Sequence, residues 1–295
     1  MKRIIIIGWG RMGITHASII NGLYPAIFNF EIVETNLFIK KVTEKSFGYV
    51  VHRSTKTVDF RDALVLITTP PFFHEETVAS AIKGGALSIF VEKPFGLHDK
   101  RVVDSSIISV GYVLRFTEVA QQLKKIVNLQ GCNKIKLMYN SNTITAIPKG
   151  WRNTEYGGVL NEMGSHLIDL AFYISGNKSF EIVSSRFESV ISNVDDKVII
   201  SAYLGSVEFE LTLNWVNSGY RKPVWSGEII TNEGVVNFDQ QSIDMGIDYS
   251  QVDYYVRGRD FSLQMKHFIE LIPDIKATSK EANAVHDFIV AAKRK

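Results

Sequence analysis

Up to about residue 115, the chain alternates short apolar runs with segments of helical pattern. Five runs rich in β-branched residues are typical of buried strands, at residues 3–7, 28–33, 63–67, 88–91 and 110–114. Residues 75–83 have the pattern of a helix that ends at two glycines. Alternation of this kind indicates βαβ crossovers and a doubly wound parallel sheet of the Rossmann type, which binds ligands at the carboxyl ends of its strands.

The pattern changes after a helix predicted at residues 118–127. Long runs of alternating apolar and polar residues follow, at residues 134–139, 180–190, 197–204, 207–215, 225–231 and 235–239. A helical segment at residues 158–173 interrupts them, and helical patterns at residues 261–271 and 279–292 come last. Strands without intervening helices indicate an α+β domain with a largely antiparallel open sheet. We therefore predict a Rossmann domain at residues 1–115 and an α+β domain at residues 116–295.

The first apolar strand leads into three glycines, Gly8, Gly10 and Gly13, spaced as Gly-x-Gly-x-x-Gly. This spacing permits a tight turn, close approach of a pyrophosphate to the backbone, and close packing of helix on strand. A diphosphate would bind at the helix N-terminus, where free N–H groups and the helix dipole favour an anion. The alternative is a purely structural βα turn, in which Trp9 only packs rather than covering a diphosphate.

A carboxylate follows the second predicted strand. Glu34 stands close to the distance from the glycine motif at which an acidic residue binds the adenosine ribose. Its charge would repel a 2′-phosphate, so we expect NAD as the cofactor rather than NADP. The alternative is a solvated glutamate at a strand end.

Composition restricts the class of protein. At 295 residues the chain exceeds the size that one core usually serves, and 45% hydrophobic with 22% charged residues is ordinary for a globular protein. A formal net charge of +2 and scattered Lys and Arg residues do not indicate a nucleic-acid partner. The chain opens directly into a strand and has no apolar run of membrane-spanning length, and its single cysteine allows no internal disulfide. We expect a cytoplasmic protein without a membrane or nucleic-acid partner.

The helical segment at residues 158–173 carries three polar side chains on an apolar background. Glu162, His166 and Asp169 stand at i, i+4 and i+7, so a helix would present them along one stripe. A histidine near neutral pKa suits general base catalysis, and a carboxylate one turn away can orient it. The alternative is a histidine satisfied within the core. Glu162 and His166 are too few ligands to predict a metal site.

Six motifs occur in an order that resembles the glucose–fructose oxidoreductase/inositol dehydrogenase/MocA family. They are Gly8-Trp-Gly-Arg-Met-Gly-Ile-Thr-His16, Thr69-Pro70 with His74, Glu92-Lys93-Pro94, Gly111-Tyr-Val-Leu-Arg-Phe116, Trp151-Arg152, and Gly157-Gly-Val-Leu-Asn-Glu-Met-Gly-Ser-His-Leu-Ile-Asp169. The resemblance covers nearly the whole chain. It implies a Rossmann domain followed by an open sheet that binds substrate and often makes the oligomer contact. Members mostly oxidise or reduce a carbon of a sugar, inositol or nucleotide-linked sugar with NAD(P).

The resemblance also implies roles for individual residues. Lys93 would lie beside the nicotinamide and the substrate hydroxyl, on a turn that in this family often has a cis peptide before Pro94. Lys93, His166 and Glu162 are the expected catalytic residues, and Lys93, Arg152, Glu162 and His166 would contact the substrate. The expected cofactor-binding residues are Gly8, Trp9, Gly10, Arg11, Met12, Gly13, Glu34, Thr68, Thr69, Pro70, His74, Glu92 and Lys93. The family usually has Asp where this chain has Glu162.

Three functions are compatible with these residues. The first is an NAD(P)-dependent dehydrogenase or reductase that acts on CH–OH groups of a carbohydrate. The second is an NAD-dependent glycoside hydrolase of the same fold, and the third is a non-catalytic dinucleotide-binding regulator. The presence of Lys93 and His166 favours an enzyme. Glu162 in place of the usual Asp keeps a non-catalytic regulator as an alternative. Because we expect the second sheet to expose an apolar face, we also expect a homodimer or homotetramer built on that face.

Overall fold

The computed structural model describes residues 2–96, 105–246 and 258–295, together with the backbone of residues 249–251. Within these residues the chain forms seven α-helices and fourteen strands. The helices are α1 (Arg11–Leu23), α2 (Leu37–Phe47), α3 (His74–Lys83), α4 (Glu118–Gln130), α5 (Ser165–Ser175), α6 (Arg259–Ile269) and α7 (Ser279–Arg294). The strands are β1 (Lys2–Ile7), β2 (Phe28–Val33), β3 (Val50–His52), β4 (Leu64–Ile67), β5 (Ser88–Val91), β6 (Ile108–Val110), β7 (Lys134–Asn140), β8 (Phe180–Glu188), β9 (Lys197–Leu204), β10 (Val207–Asn214), β11 (Val224–Ile230), β12 (Val235–Asp239), β13 (Ser242–Asp244) and β14 (Tyr249–Gln251).

The chain divides into two compact units. The first comprises Met1–Tyr112 and Asp260–Asn283, and the second comprises Val113–Arg259 and Ala284–Lys295. The sequence pattern predicted that residues 260–283 belong to the second domain. They join the first unit because the apolar face of α6 enters the same core cluster as β1, through Met265, Phe268 and Ile269.

The first unit contains a six-stranded parallel sheet in the order β3-β2-β1-β4-β5-β6. Its central strands are buried on both faces, as their β-branched sequences require. The register pairs Ile7 with Val33 and Ile67, and Ile67 with Val91. The residues that follow these four strands therefore lie along one edge of the sheet, which confirms the predicted Rossmann fold.

The strand predicted at residues 110–114 departs furthest from its predicted bounds. The pattern indicated a strand at residues 110–114, whereas β6 ends at Val110 and residues 113–116 form a short 3₁₀ helix. Gly111 still donates its N–H to Val91 O at 2.8 Å, but Tyr112 N donates back to Val110 O at 2.8 Å. This tight turn takes the chain out of the sheet before the apolar run at residues 110–114 ends.

The second unit contains an eight-stranded sheet in the order β14-β13-β12-β11-β7-β10-β9-β8, counted over the described residues. All its neighbouring strands are antiparallel except β7 and β10, which are parallel. The sheet is mixed but largely antiparallel, as predicted. One face is apolar and buried, with Leu137, Ile200 and Leu211 at its centre.

The opposite face of this sheet corrects an expectation. We expected it to be apolar, but its central strands carry charged residues that pair across the sheet. Lys134 Nζ lies 2.6 Å from Glu210 Oε1, and Lys136 Nζ lies 2.7 Å from Glu228 Oε1. Met138 and Ile199 interrupt these charges on the same face. The alternation of inward apolar and outward residues was correct, but the outward positions are largely polar.

None of the described helices combines the length and the apolar character that a membrane span requires. Within the described ranges, no group of three or more His, Cys, Asp or Glu side chains is arranged to hold a metal ion.

Candidate functional site

The turn after β1 is built so closely that two of its glycines have no room for a side chain. Gly8 has φ +96°, and a Cβ on it would lie 2.9 Å from Thr69 N. A Cβ on Gly13 would lie 2.3 Å from Gly8 O. By contrast, a Cβ on Gly10 would have no heavy atom within 4 Å. The two outer glycines therefore close the turn, while the middle glycine leaves open space beside the backbone.

Helix α1 begins in this turn with its first N–H groups exposed to a ligand. Gly10 is its N-cap and supplies no side-chain acceptor, and residues 11–13 contain no acidic side chain. Arg11 and Met12 form the first turn, where backbone N–H groups have no partner within the helix. Such a terminus attracts an anion.

Trp9 packs in the core rather than over the turn. Its side chain is only 4% exposed and makes edge-to-face contacts with Phe47 and Tyr49, at centroid distances of 6.1 and 5.8 Å. Its backbone N–H donates to Glu34 Oε2 at 3.2 Å. Aromatic packing buries the side chain, and the contact of Trp9 with a cofactor stays a prediction.

Glu34 is fixed at the end of β2 by backbone donors. Its Oε1 accepts the N–H of Asn36 at 2.7 Å, and Oε2 accepts that of Trp9. The carboxylate thus links the glycine turn to the start of α2. It lines a cleft of about 450 Å³ within the first unit. The other side chains or backbone positions in this cleft include Gly8, Thr69, Pro70, Arg53, Lys56 and Glu76.

Arg53 and Lys56 are cleft residues that the sequence analysis missed. No basic side chain was predicted to bind the cofactor in the segment around β3, because this strand is only three residues long and gives almost no periodic signal. Both residues follow β3, whose neighbour in the sheet is β2. The cleft therefore holds two cations together with the carboxylates of Glu34 and Glu76.

The turn after β4 supports the glycine turn. Thr68 Oγ1 donates to Gly8 O at 2.6 Å, which holds the two turns together. Thr69 Oγ1 is buried and has no hydrogen-bond partner among the residues that the structure describes. A buried hydroxyl without a partner is costly, so this atom suits a polar ligand.

His74 lies behind these turns. Its ring is 1% exposed, and both ring nitrogens approach backbone carbonyls: Nε2 lies 2.8 Å from Thr69 O and Nδ1 lies 3.0 Å from Pro94 O. Burial lowers the pKa of His74, although the two carbonyls and Glu92 act in the opposite direction. Both nitrogens contact backbone carbonyls, and a direct contact of His74 with a cofactor stays a prediction.

Glu92, Lys93 and Pro94 follow β5, and the peptide between Lys93 and Pro94 is cis. Glu92 Oε1 lies 2.7 Å from His16 Nε2, and Glu92 Oε2 accepts the N–H of Lys93 at 3.3 Å. Burial alone would raise the pKa of Glu92, but His16, Lys93 and His74 outweigh it, so the pKa is lowered. Glu92 thus stays ionised and supports the backbone of Lys93.

In the second unit, the predicted helix at residues 158–173 begins with a different geometry. Residues Leu160–Gly164 form a π-helical turn that continues into α5. Single π-helical turns inside helices are frequent at functional sites. Glu162 lies on this turn and His166, 8% exposed, lies on the first turn of α5. The wider first turn means that these side chains do not follow the regular stripe that the spacing predicted.

Glu162 and Arg152, both predicted substrate contacts, lie together. Arg152 Nε is 3.1 Å from Glu162 Oε2, and the guanidinium also lies over the ring of Trp151, 5.5 Å from its centroid. The Arg152 side chain is 45% exposed and that of Glu162 is 13% exposed. The pair is therefore half open, with its arginine toward solvent.

Asp169 has a partner that the sequence analysis missed. Its carboxylate forms a bidentate pair with Arg115, with Nε to Oδ2 at 2.8 Å and Nη2 to Oδ1 at 2.6 Å. Both side chains are almost fully buried. Arg115 belongs to the Gly111-to-Phe116 motif, which was noted without a role for its arginine. The pair anchors α5 to the segment before α4.

The comparisons with known proteins support the fold. No model of a known protein family matches the chain. A solved levoglucosan dehydrogenase in complex with NADH aligns with a TM-score of 0.82 at 18% identity, over 99% of this chain and 96% of that one. A myo-inositol dehydrogenase of Corynebacterium glutamicum aligns with a TM-score of 0.77 at 17% identity, over 100% and 96% of the two chains. At these identities the likeness shows a shared fold, which is the fold that the motifs implied.

A curated relative adds a local match in sequence. UNK4.17, an uncharacterized protein of Schizosaccharomyces pombe, is 30% identical over 136 residues. The match covers 40% of this chain and spans about a third of the relative, 34% of its length.

Proposed function

We propose that the protein is an NAD-dependent oxidoreductase of the glucose–fructose oxidoreductase/inositol dehydrogenase/MocA family. It would transfer a hydride between nicotinamide and a secondary alcohol or ketone carbon of a sugar, inositol or nucleotide-linked sugar. The observation that carries the proposal is the glycine turn of the first unit, with the uncapped N-terminus of α1 on one side and the fixed carboxylate of Glu34 on the other. The full-length fold match to an NADH-bound levoglucosan dehydrogenase supports it.

The residues present fit a dinucleotide. The open space at Gly10 suits a pyrophosphate beside the first N–H groups of α1, at Arg11 and Met12. Glu34 suits the adenosine ribose, whose hydroxyls donate to a carboxylate. The buried Thr69 Oγ1, which has no partner among the described residues, suits a polar group of the same ligand. When bound, the nicotinamide would accept or supply the hydride.

Two groups of this chain suit the proton transfer that accompanies the hydride. Oxidation of a secondary alcohol requires a group that takes the hydroxyl proton and a group that stabilises developing negative charge on oxygen. We assign these roles to Lys93, at the end of β5, and His166, in the first turn of α5. Glu162 and its partner Arg152 would contact the substrate hydroxyls.

The preference for NAD over NADP is a separate proposal. Glu34 would repel a 2′-phosphate, while Arg53 and Lys56 in the same cleft would attract one. We give more weight to Glu34, because two backbone N–H groups fix its carboxylate at the end of β2. Calorimetric titration with NADH and NADPH tests this order of affinities. Tighter binding of NADPH than of NADH would mean that Arg53 and Lys56, and not Glu34, determine the cofactor preference. Loss of NADPH binding in Arg53→Ala would then identify Arg53 as the residue responsible.

Turnover tests the proposed reaction. NADH formation from NAD is followed with myo-inositol, levoglucosan and common aldoses, and NADH consumption with the matching ketones. We expect activity with at least one polyhydroxylated substrate, and unequal rates that reveal the preferred configuration. Tight binding of NADH without turnover of any of these compounds would favour a dinucleotide-binding regulator. Release of an aglycone from a glycoside would favour the hydrolase.

We also propose a cytoplasmic homodimer or homotetramer in which the outer face of the second sheet is the contact. Met138 and Ile199 supply exposed apolar area there, and the surrounding rows of Lys and Glu offer charges of both signs. A face of that composition can pair with itself about a twofold axis. Light scattering at micromolar concentration tests the assembly, and Met138→Lys should favour the monomer. A wild-type monomer would contradict the proposal.

A further inference from the structure

Two buried histidines flank the Glu92-Lys93-Pro94 turn. His16, on α1, is 0% exposed, and His74, at the start of α3, is 1% exposed. Neither is needed for the proton transfer proposed for Lys93 and His166. Burying a polar ring is costly unless its polar atoms are bonded, so the contacts that the two rings make indicate what they hold. Of their four nitrogens, His16 Nδ1 has no hydrogen-bond partner among the described residues.

His16 holds the residue before Lys93. Its Nε2 lies 2.7 Å from Glu92 Oε1, and its ring meets the ring of Phe90 edge-on at a centroid distance of 5.1 Å. The second carboxylate oxygen of Glu92 accepts the N–H of Lys93. A Cβ at Gly111 would lie 3.0 Å from that oxygen, so the glycine leaves room for the carboxylate. The lowered pKa of Glu92 agrees with a carboxylate that stays ionised in these contacts.

His74 holds the residue after Lys93. Its Nδ1 lies 3.0 Å from Pro94 O, and its Nε2 lies 2.8 Å from Thr69 O. Thr69 in turn lies against the glycine turn, since a Cβ on Gly8 would approach Thr69 N to 2.9 Å. The imidazole therefore joins the turn that carries Lys93 to the turn that fits the diphosphate.

We propose that His16 and His74 are positioning residues for Lys93, a two-histidine support that fixes the Lys93 turn relative to the glycine turn. His16 acts through the carboxylate of Glu92, and His74 acts through the carbonyl of Pro94. The proposal rests on the proposed function only where catalytic rates are concerned. It also separates the two contacts of His74: the contact with Pro94 O would serve catalysis, and the contact with Thr69 O would serve cofactor binding.

The two ring nitrogens of His74 can be tested separately by amide replacement. A neutral imidazole carries one N–H and can donate to only one of the two carbonyls, so two amide replacements separate the alternatives. An asparagine places its amide nitrogen near the Nδ1 position, so His74→Asn offers a donor toward Pro94 O and none toward Thr69 O. A glutamine places its amide nitrogen near Nε2, so His74→Gln offers a donor toward Thr69 O and none toward Pro94 O. We expect His74→Gln to lower kcat by about a hundredfold with little change in the Kd of NADH, because misplacement of a reacting group by about 1 Å has that cost. We expect His74→Asn to weaken NADH binding with a smaller loss of kcat.

The same claim is tested at His16 and without substrate. His16→Gln keeps a donor toward Glu92 and should retain most of the turnover, whereas His16→Leu should lose about as much kcat as His74→Gln. His52→Gln, a histidine change on β3 in the same unit, is the control for general effects. The acylation rate of the Lys93 amine, measured by peptide mass spectrometry across pH, reports the placement of Lys93 even if no substrate is found. It should change in His74→Gln and His16→Leu but not in His74→Asn or His52→Gln.

Several outcomes would overturn the proposal. Equal effects of His74→Asn and His74→Gln on both kcat and Kd would mean that the ring only fills space. Unchanged Lys93 acylation in both His74→Gln and His16→Leu would mean that the histidines do not position Lys93. Should the His74 variants fail to fold, His16→Gln and His16→Leu test the proposal through kcat and through the acylation rate of Lys93. A wild-type protein that turns over no substrate would refute the proposed function, while acylation would still decide the role of the histidines.

Discussion

The two units hold their proposed functional groups by different means. At the glycine turn of the first unit, backbone geometry dominates: glycines that exclude a Cβ bring the turns together, and backbone N–H groups fix the carboxylate of Glu34. In the second unit, buried acidic side chains do the corresponding work. Asp169 anchors α5 through Arg115, and Asp196 accepts backbone N–H groups of residues 190–192 as well as Trp215 Nε1 at 2.6 Å.

This difference has a physical consequence. The close approach of Gly8 and Gly13 depends on sterics and is insensitive to pH, whereas the contacts of Asp169 and Asp196 depend on the ionisation of these carboxylates. Substitutions should therefore damage the glycine turn through volume and these contacts of the second unit through charge.

The largest effect on stability is expected at the Arg115–Asp169 pair. Arg115→Met leaves the Asp169 carboxylate buried without its bidentate partner, which should cost about 3–5 kcal/mol. Chemical denaturation measures the loss. The double variant Arg115→Met/Asp169→Leu should recover most of it, because both charges are then removed together. If Arg115→Met alone left the free energy of unfolding nearly unchanged, the buried ion pair would not be what stabilises the second unit.

A smaller effect is expected when a methyl group is added to the glycine turn. Gly13→Ala places a Cβ 2.3 Å from Gly8 O, which should destabilise the first unit by about 1–3 kcal/mol. Gly10→Ala is the matched control, because a Cβ there has no heavy atom within 4 Å. It should leave thermal stability unchanged and weaken NADH binding, since the methyl group enters the space proposed for the diphosphate. If Gly10→Ala and the wild type bound NADH with equal affinity, the proposed position of the diphosphate at this turn would be contradicted.

The smallest effect concerns the pH dependence of stability. Burial raises the pKa of Asp195 to about 6, although the N–H of Leu160 and the charge of Lys293 partly offset this, and Asp196 adds to the rise. The folded protein then keeps a proton that the unfolded chain releases near pH ~4, so stability falls as the pH rises through about 6. Asp195→Asn should reduce this fall. Urea denaturation at several pH values between about 4 and 7 measures it, and an identical pH dependence in wild type and variant would show that Asp195 ionises freely.

The contrast also explains what could be predicted from the sequence. Glycine spacing, strand patterns and the Glu-Lys-Pro motif are local signals, so β2, β5 and the edge that carries Gly8, Glu34 and Glu92 were located correctly. The Rossmann fold and the largely antiparallel second sheet followed from the same patterns. Three-residue strands such as β3 were missed because they are too short to repeat the two-residue alternation of a strand.

Other features depend on contacts between distant parts of the chain. The partner of Asp169 is Arg115, and no pattern near either residue indicates the other. Likewise, the return of α6 to the first unit depends on which core accepts Met265 and Phe268. The polar outer face of the second sheet could have been predicted from the sequence. Lys134, Lys136 and Glu210 stand at outward positions of strands that the pattern had already identified.

The central proposal is that turnover requires both Lys93 and His166 while NAD binds through the glycine turn. The most direct test measures kcat and the Kd of NADH for wild type, Lys93→Ala and His166→Ala, with Glu162→Asp as the variant that restores the shorter carboxylate of the family. We predict that each alanine variant loses a factor of about 10²–10⁴ in kcat at nearly unchanged Kd, because an acid or base group contributes that much to the rate. We also predict that Glu162→Asp alters turnover measurably. Full activity of His166→Ala together with an unaltered Glu162→Asp would contradict the claim and leave α5 with a structural role only.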